Sequence, residues 1–202
     1  MILRSYLKEK EFHIMLELKK DMLLFHGSYI GIKDINLSKC MKGKDFGRGF
    51  YVTTSLEQAM KFSRISTRRA VLSGIVDENQ NYGFVNTFRL ASTENIKFFA
   101  FNDADVNWLH FVVSNRDETL FQDENKKYEK NNVIAGKIAN DKTATTLQTY
   151  IDGINGRPGD IRTDRLTIEA LLPNRLENQF CFKSTPACKC LKYESEKKYV
   201  FE

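Results

Sequence analysis

The fold of this chain is decided by one stretch, Asp45-Phe46-Gly47-Arg48-Gly49-Phe50-Tyr51-Val52-Thr53-Thr54. Its two glycines, one residue apart, allow a sharp turn into a strand, because glycine accepts backbone conformations that other residues avoid. Residues 55–58 then have the spacing of a helix-capping box, in which a serine caps an amide and a glutamine reaches back. The stretch therefore predicts a turn, a strand over 50–53 and a helix that ends near residue 66.

Two aromatic residues accompany this stretch. Tyr51 stands at the start of the predicted strand, and Phe62 follows eleven residues later in the predicted helix. Aromatic faces hold planar cationic rings by stacking and cation–π attraction, so one interpretation is an aromatic clamp for such a ligand. The other interpretation is that both rings belong to the hydrophobic core.

The triplet His26-Gly27-Ser28 follows the apolar run 22–25, which predicts a buried strand with polar residues at its end. Gly27 would let a ligand approach the backbone closely, while His26 and Ser28 offer side chains that form hydrogen bonds. A strand-terminal histidine is more often structural, so the triplet alone is a weak signal. Residues 28–48 predict a long loop, and connections of that length are usually functional or mobile.

Hydrophobic periodicity and turn residues predict the remaining elements. The expected strands cover 83–90, 96–101, 131–139, 177–183 and 188–200, and the expected helices cover 103–116, 140–151 and 160–172. Since no repeat or linker divides the chain, we expect a single domain over 22–202. Residues 1–21 form an N-terminal extension, in which helical spacing is shown by Leu7, Glu11, Ile14, Met15 and Leu18.

The composition favours an ordinary globular domain. Hydrophobic residues make up 42% of the 202 residues, which is enough for a core. The net charge of +5 arises from 31 basic and 26 acidic residues in interspersed clusters. This pattern indicates a mildly basic solvated surface, with an anionic ligand or a nucleic acid as the alternative.

The sequence also suggests a compartment and a redox state. No apolar run has the length of a signal or membrane-spanning segment, so we expect a cytoplasmic protein without a membrane partner. In that compartment the four cysteines are expected to be reduced thiols. Their spacing lacks the paired ligands of a zinc site, so no metal is expected.

Five blocks occur in order along the chain: HGS at 26–28, DFGRGFYVTT at 45–54 followed by QA at 58–59, WLHFV with NR within 108–116, GKIANDK at 136–142 and NQFCF at 178–182. Together they resemble the ADP-ribosyltransferase fold, in the branch that includes diphtheria toxin and the poly(ADP-ribose) polymerases. More narrowly, the chain is similar to an uncharacterised bacterial family built on that fold, over about residues 22–193. The resemblance implies an α+β domain with two packed, mostly antiparallel sheets that form an NAD cleft, with helices around them.

The resemblance also implies an NAD-binding set. His26 would bond the adenosine-side ribose with Ser28 near it, and the Gly27 backbone would hold the nicotinamide carboxamide. Tyr51 would stack on the nicotinamide ring, with Phe62 as a second aromatic wall. The predicted set is completed by Arg48, Gly49 and Phe50. For Arg48, a contact with the NAD pyrophosphate and simple solvation are equally open.

The position of the family's catalytic glutamate corresponds here to Gln179. A neutral amide can form a hydrogen bond with the ribose, but it provides no charge and cannot act as a base. Strand alternation places Glu177, Gln179 and Cys181 on one face, which is either a functional polar face or the solvated side of a half-buried strand. Glu177 is therefore an alternative source of the charge. The predicted catalytic residues are Gln179, Glu177, Tyr51 and His26.

The function that the resemblance implies is mono-ADP-ribosyl transfer from NAD to a protein or nucleic-acid acceptor, as in an intracellular toxin or effector. An inhibitory partner is a further expectation for such a protein. The alternative, favoured by Gln179, is a catalytically inactive module that binds NAD, another nucleotide or a partner. A third interpretation is hydrolysis of NAD or transfer of a 2′-phosphate on the same fold.

Overall fold

A computed structural model describes residues 15–138, 141–171 and 176–201 of the chain. Most of the helix predicted in the N-terminal extension, including Leu7, Glu11 and Ile14, lies outside these residues. The described part of the extension, 15–20, forms no helix. Instead Leu16 and Leu18 pack against the hydrophobic core of the domain.

The described chain forms seven strands and six α-helices. The strands are β1 (Leu23–Ser28), β2 (Phe50–Val52), β3 (Tyr82–Leu90), β4 (Phe98–Ala100), β5 (Val133–Lys137), β6 (Asn178–Phe182) and β7 (Leu191–Val200). The helices are α1 (Leu56–Leu72), α2 (Val106–Arg116), α3 (Glu124–Lys127), α4 (Asp141–Ile151), α5 (Ile161–Leu171) and α6 (Thr185–Lys189). A 3₁₀ helix, Leu37–Lys39, interrupts the long loop after β1. The predicted α+β class is confirmed.

The strands form two sheets, and one isolated backbone bridge links them. One sheet has the order β1-β3-β7 and is antiparallel, and the other has the order β2-β6-β5-β4, in which only β4 and β5 run parallel. The sheets are joined by an isolated bridge in which Phe25 and Thr53 exchange backbone hydrogen bonds of 2.8 and 2.9 Å. The prediction of two mostly antiparallel sheets is confirmed.

The core lies on both faces of the second sheet, as the period of two along a strand requires. Between the sheets, Phe50 packs edge-on against Phe88 at a centroid distance of 5.4 Å. This inner cluster also contains Leu24, Val52, Leu90, Val133, Phe180 and Phe182. On the opposite face lies the outer cluster, in which Ile134 and Cys181 pack against α2, α4 and α5 and Trp108 of α2 is fully buried.

Helix α1 rests directly on the first sheet. Its buried stripe consists of small residues, namely Ala59, Ser63, Thr67 and Ala70. A Cβ atom on Gly27 would overlap the Ala59 carbonyl oxygen and lie 2.7 Å from the Ser63 nitrogen. On Gly83 it would lie 2.8 Å from the Thr67 hydroxyl oxygen. The helix backbone can therefore approach β1 and β3 only because glycine occupies both strand positions.

Several predicted boundaries are wrong. Helix α1 continues to Leu72 instead of residue 66, because its small-residue stripe extends over Gly83. Helix α2 begins at Val106 instead of 103, since the Asp105 carboxylate accepts the Trp108 N–H at 2.8 Å. Strand β6 begins at Asn178, so Glu177 precedes it. Strand β4 is shorter than predicted, and α3 was not predicted.

A buried carboxylate ties three helices together. Asp164 of α5 accepts a hydrogen bond from the Tyr150 hydroxyl of α4 at 2.5 Å and lies 2.7 Å from His110 Nε2 of α2. The His110 ring stacks on Phe121 with centroids 3.9 Å apart. These contacts explain the polar residues inside an otherwise apolar helix cluster, and they assign His110 a packing role.

The contact between α1 and β1 leads to a stability prediction. Gly27→Ala should lower the free energy of unfolding by about 3 kcal/mol, the upper end of the cost of overpacking, because the new methyl group meets helix backbone. Gly74→Ala is the control, since Gly74 has φ +64 and open space around it. There the left-handed backbone alone should cost about 1 kcal/mol. Urea unfolding measures both, and equal losses would contradict the close contact.

Candidate functional site

The candidate site lies where the two sheets separate. In a ladder, the N–H and C=O of one residue point to the same side, and successive residues alternate between sides. Because Phe25 and Thr53 bond each other, the backbone groups of Gly27 and Tyr51 also point into the space between β1 and β2. The next bond of the ladder would join these two residues. It is replaced by a side chain, since His26 Nδ1 lies 2.6 Å from the Tyr51 carbonyl oxygen.

The environment of His26 fixes its tautomer. Facing a carbonyl oxygen, Nδ1 must carry the hydrogen, which leaves Nε2 as an acceptor when the ring is neutral. Burial lowers the pKa of His26 below 6.5, although the bond to Tyr51 partly opposes this shift. The ring also stacks on Phe50 with centroids 4.4 Å apart. His26 is thus a neutral, fixed imidazole at the edge of the gap.

The residues after His26 are held by side-chain contacts. Asn86 of β3 is fully buried; its Nδ2 donates to the His26 carbonyl oxygen at 3.3 Å, and its Oδ1 accepts the Ile32 N–H at 2.7 Å. Ser28 is buried, and its hydroxyl oxygen accepts the Ile30 N–H at 3.4 Å. The long loop therefore leaves β1 along a defined path.

Tyr51 fixes the glycine-rich turn that precedes β2. Its hydroxyl donates to the Gly47 carbonyl oxygen at 2.6 Å and accepts the Phe46 N–H at 3.0 Å. Burial raises the pKa of Tyr51 well above its usual range. Its ring packs at the margin of the outer cluster, whereas Phe62 on α1 is 45% exposed. Only one of the two predicted aromatic residues is therefore part of the core.

The other predicted binding residues also have structural contacts. Arg48 donates from Nε and Nη2 to the carbonyl oxygens of Leu37 and Ser38, at 3.0 and 2.6 Å. It thereby holds the 3₁₀ helix over an open depression of about 410 Å³ that Lys183 also lines. Gly49 must lack a side chain, because a Cβ atom there would lie 2.9 Å from the Phe182 carbonyl oxygen.

Gln179 and Glu177 lie in different environments. Gln179 is only 8% exposed, and the β2–β6 register places it on the same face as Tyr51, because Tyr51 pairs with Cys181. Glu177 is exposed and directly precedes β6, where its carbonyl oxygen accepts the Ile138 N–H at 2.8 Å. The structure therefore brings Gln179, Tyr51 and Gly27 to one face near the gap. His26 and Phe50 occupy the opposite face.

A buried acidic residue that the sequence analysis missed completes the site. Asp45 is 7% exposed, and its Oδ2 accepts the Gln179 Nε2–H at 2.8 Å. Its Oδ1 accepts from Arg116 Nε at 3.1 Å and from Arg116 Nη2 at 2.5 Å. The signal was present, since Asp45 opens the glycine-rich block and Arg116 ends the WLHFV…NR block.

The surroundings of Asp45 are cationic. Burial lowers the pKa of Lys44, and the positive charges of Arg69 and Arg116 lower it further, while Asp45 opposes them. Lys44 thus lies within electrostatic reach of two arginines. This part of the site has the charge that a diphosphate-containing ligand requires.

The described residues do not meet the requirements of a metal site or of a membrane-spanning helix. Within 15–138, 141–171 and 176–201, no cluster of three His, Cys, Asp or Glu side chains is placed to bind a metal ion. No helix in the same ranges is both long and apolar enough to cross a membrane. All four cysteines are free thiols.

The fold and this site define an α+β protein whose two sheets meet at one bridge and separate beside a buried polar network. The chain belongs to the family described as "Protein of unknown function (DUF3990)", whose family model matches residues 22–193. The match begins one residue before β1 and ends within β7, so it includes the whole candidate site. No curated protein and no solved structure matches the chain.

The hydroxyl of Tyr51 leads to a second stability prediction. Tyr51→Phe should lower the free energy of unfolding by about 2 kcal/mol, because it leaves two backbone groups of the glycine-rich turn without a partner. Tyr199→Phe, on the outer strand β7, should change it by less than about 0.5 kcal/mol. Urea unfolding compares the two variants, and equal values would show that the turn does not depend on Tyr51.

The lowered pKa of His26 predicts a pH dependence. The unfolded chain binds a proton at His26 more readily than the folded chain, so stability must fall as the pH drops below about 6.5. His26→Asn keeps a donor for Tyr51 but cannot be protonated. The free energy of unfolding should therefore fall less steeply between about pH 7 and 5 in this variant than in the wild type. Parallel curves would exclude a buried neutral histidine.

Proposed function

We propose that the chain is a mono-ADP-ribosyltransferase that transfers ADP-ribose from NAD to a protein or nucleic-acid acceptor. The observation that carries this proposal is the space between β1 and β2, where the backbone N–H and C=O of Gly27 point toward β2 and no described strand residue pairs with them on that side. Tyr51, His26 and Gln179 lie around this space. These are the residues to which the resemblance assigns NAD. The two mostly antiparallel sheets that separate at this point also agree with the fold that the resemblance implies.

The backbone of Gly27 suits a carboxamide. An N–H and a C=O that point in the same direction offer one donor and one acceptor, and a primary carboxamide offers the complementary pair. The strand edge beyond the Phe25–Thr53 bridge provides this arrangement without any side chain. The nicotinamide end of NAD would bind here, with the exposed Phe62 ring of α1 as an aromatic wall.

The other groups suit the remaining parts of the dinucleotide. The neutral His26 ring has Nε2 as an acceptor for a ribose hydroxyl. The cationic surroundings of Lys44, Arg69 and Arg116 suit the diphosphate. His26, Arg116 and Gln179 are already held by hydrogen bonds, so binding would require little reordering of these groups.

The reaction breaks the glycosidic bond between C1′ of the ribose and the nicotinamide nitrogen. Nicotinamide leaves with the bonding electron pair, the acceptor nucleophile forms a bond to C1′, and the acceptor releases its proton to water. Positive charge develops on the ribose as the bond breaks, so groups with negative character near the ribose accelerate the step. Gln179 would accept a hydrogen bond from a ribose hydroxyl.

A second candidate function is favoured by one observation, namely that residue 179 is a neutral amide. A glutamine provides no charge and no base, so the chain would then be a module that binds NAD or another nucleotide without cleaving it. Tight NAD binding without release of nicotinamide would select this function.

The exposed Phe62 ring allows a test that spares the core. Phe62→Ala should weaken NAD binding about tenfold, because one stacking contact contributes roughly 1 kcal/mol or slightly more. Leu72→Ala on the same helix, where the side chain is 77% exposed, should bind like the wild type. Calorimetric titration with NAD and an assay for nicotinamide release, with cell lysate as the acceptor source, measure the three proteins.

Two results would contradict the proposed function. One is a wild-type protein that neither binds NAD at millimolar concentration nor releases nicotinamide. The other is a Phe62→Ala variant that binds NAD as tightly as Leu72→Ala, which would place the ligand elsewhere.

A further inference from the structure

The contact between Asp45 and Gln179 connects two parts of the chain that are 134 residues apart. Both side chains are buried, and burying a charged carboxylate is unfavourable unless it is paired and hydrogen-bonded. Asp45 satisfies this condition with Arg116 on Oδ1 and the Gln179 amide on Oδ2. The carboxylate is therefore held in direct contact with Gln179, the residue at the position that the resemblance to ADP-ribosyltransferases assigns to the catalytic glutamate.

We propose that Asp45 is a positioning residue of the NAD site: it fixes the Gln179 carboxamide so that Oε1 is presented to the nicotinamide ribose, and its hydrogen bond polarises that carboxamide. This inference rests on the proposed function. Gln179 and Asp45 then act together as one hydrogen-bonded pair.

The orientation of the Gln179 carboxamide follows from the chemistry of its two ends. A glutamine can present either an acceptor, Oε1, or a donor, Nε2, and the two ends have opposite partial charges. A carboxylate can only accept, so Asp45 selects Nε2 as its partner. Oε1 is then directed away from Asp45, and no described residue donates a hydrogen bond to it. The end with negative character is available to a ligand.

The polarisation of the carboxamide follows from the hydrogen bond itself. An amide that donates to a carboxylate becomes more polarised, because bonds in a chain strengthen one another at low dielectric. Because Arg116 balances the net charge of Asp45, the effect on Gln179 is this polarisation, which increases the negative character of Oε1. A positive charge developing on the ribose would interact favourably with the polarised Oε1.

Asp45 acts through Gln179 and not as the base. Both of its oxygens accept from fixed donors on Arg116 and Gln179, and its position is set by the adjacent turn that the Tyr51 hydroxyl holds. The glycine-rich block thus contributes to the site twice, through Tyr51 and through the carboxylate that precedes Phe46.

This arrangement makes Gln179→Glu an unfavourable change. It would place two carboxylates at hydrogen-bond distance, where like charges repel. The double variant Asp45→Asn with Gln179→Glu restores a complementary pair. The introduced asparagine amide then donates to the introduced carboxylate, while the asparagine carbonyl oxygen accepts from Arg116. In the double variant the carboxylate is at position 179 instead of position 45, and the hydrogen bond between the two side chains is retained.

The test is a double-mutant cycle with four full-length proteins: the wild type, Asp45→Asn, Gln179→Glu and the double variant. Nicotinamide release at varied NAD concentration gives kcat and KM, and thermal unfolding shows that each protein is folded. Each single variant should lose at least about tenfold in kcat while KM changes less than about threefold, because the contact acts on the transition state. The double variant should recover to within about threefold of the wild type.

A merely structural Asp45 would give a different pattern. A folded Asp45→Asn protein with wild-type kcat overturns the inference, and so does a double variant no more active than Gln179→Glu. If Asp45→Asn alone does not fold, the comparison of Gln179→Glu with the double variant decides by itself. If the wild type binds NAD without cleaving it, the same cycle is evaluated on Kd, and an unchanged Kd in Asp45→Asn overturns the inference.

Failure of the proposed function is recognisable separately. It appears as a wild-type protein that shows neither NAD binding nor nicotinamide release, before any variant is compared. In that case both the proposed function and the role of Asp45 are overturned. Binding by the wild type with no dependence on Asp45 overturns only the second.

Discussion

The architecture depends on the single backbone bridge between β1 and the residue after β2, which is not extended into a longer strand pair. Phe25 and Thr53 join the two sheets, and the next ladder bond would close the space between β1 and β2. The Tyr51 carbonyl oxygen instead accepts a hydrogen bond from the His26 imidazole, so the strands separate while this carbonyl group keeps a partner. Gly27 lies beside it with α1 packed directly on the glycine. His26, Gly27 and Tyr51 therefore border the space between β1 and β2, and α1 packs directly against Gly27.

The glycine-rich block organises the other side of the gap. Its turn is held from within by the Tyr51 hydroxyl, and this places Asp45 against α2 and β6. A buried charge that bonds both Arg116 and Gln179 tolerates little displacement, because a lost bond would leave a polar group unsatisfied at low dielectric. The contact of Asp45 with Arg116 therefore fixes the position of α2, and its contact with Gln179 fixes a polar side chain of the site. These two contacts explain why an acidic residue, Asp45, precedes the glycine-rich turn that leads into β2.

Much of this could be predicted from local sequence. The buried strand before His26, the turn at 45–49, the cap at Ser55 and the family match over 22–193 all follow from short-range patterns. The end of that strand does not, since β1 continues to Ser28, where a loop is predicted. The length of α1 could not be predicted, since it is set by packing on Gly83. The Asp45–Gln179 pair could not either, because 134 residues separate partners whose contact depends on strand register. The different burial of Glu177 and Gln179 could not be predicted either, because alternation assigns residues to a face of a strand but does not show how much of each is covered.

The central claim is that the gap beside Gly27 binds NAD, and its most direct test is NMR titration of isotope-labelled protein. The account predicts that NAD shifts the backbone amide resonance of Gly27 and the side-chain amide resonances of Gln179, with saturation at a common Kd. Resonances of α4 and α5, which pack on the far side of the outer cluster, should stay unchanged. Saturable shifts confined to those helices, or no shift at Gly27, would contradict it.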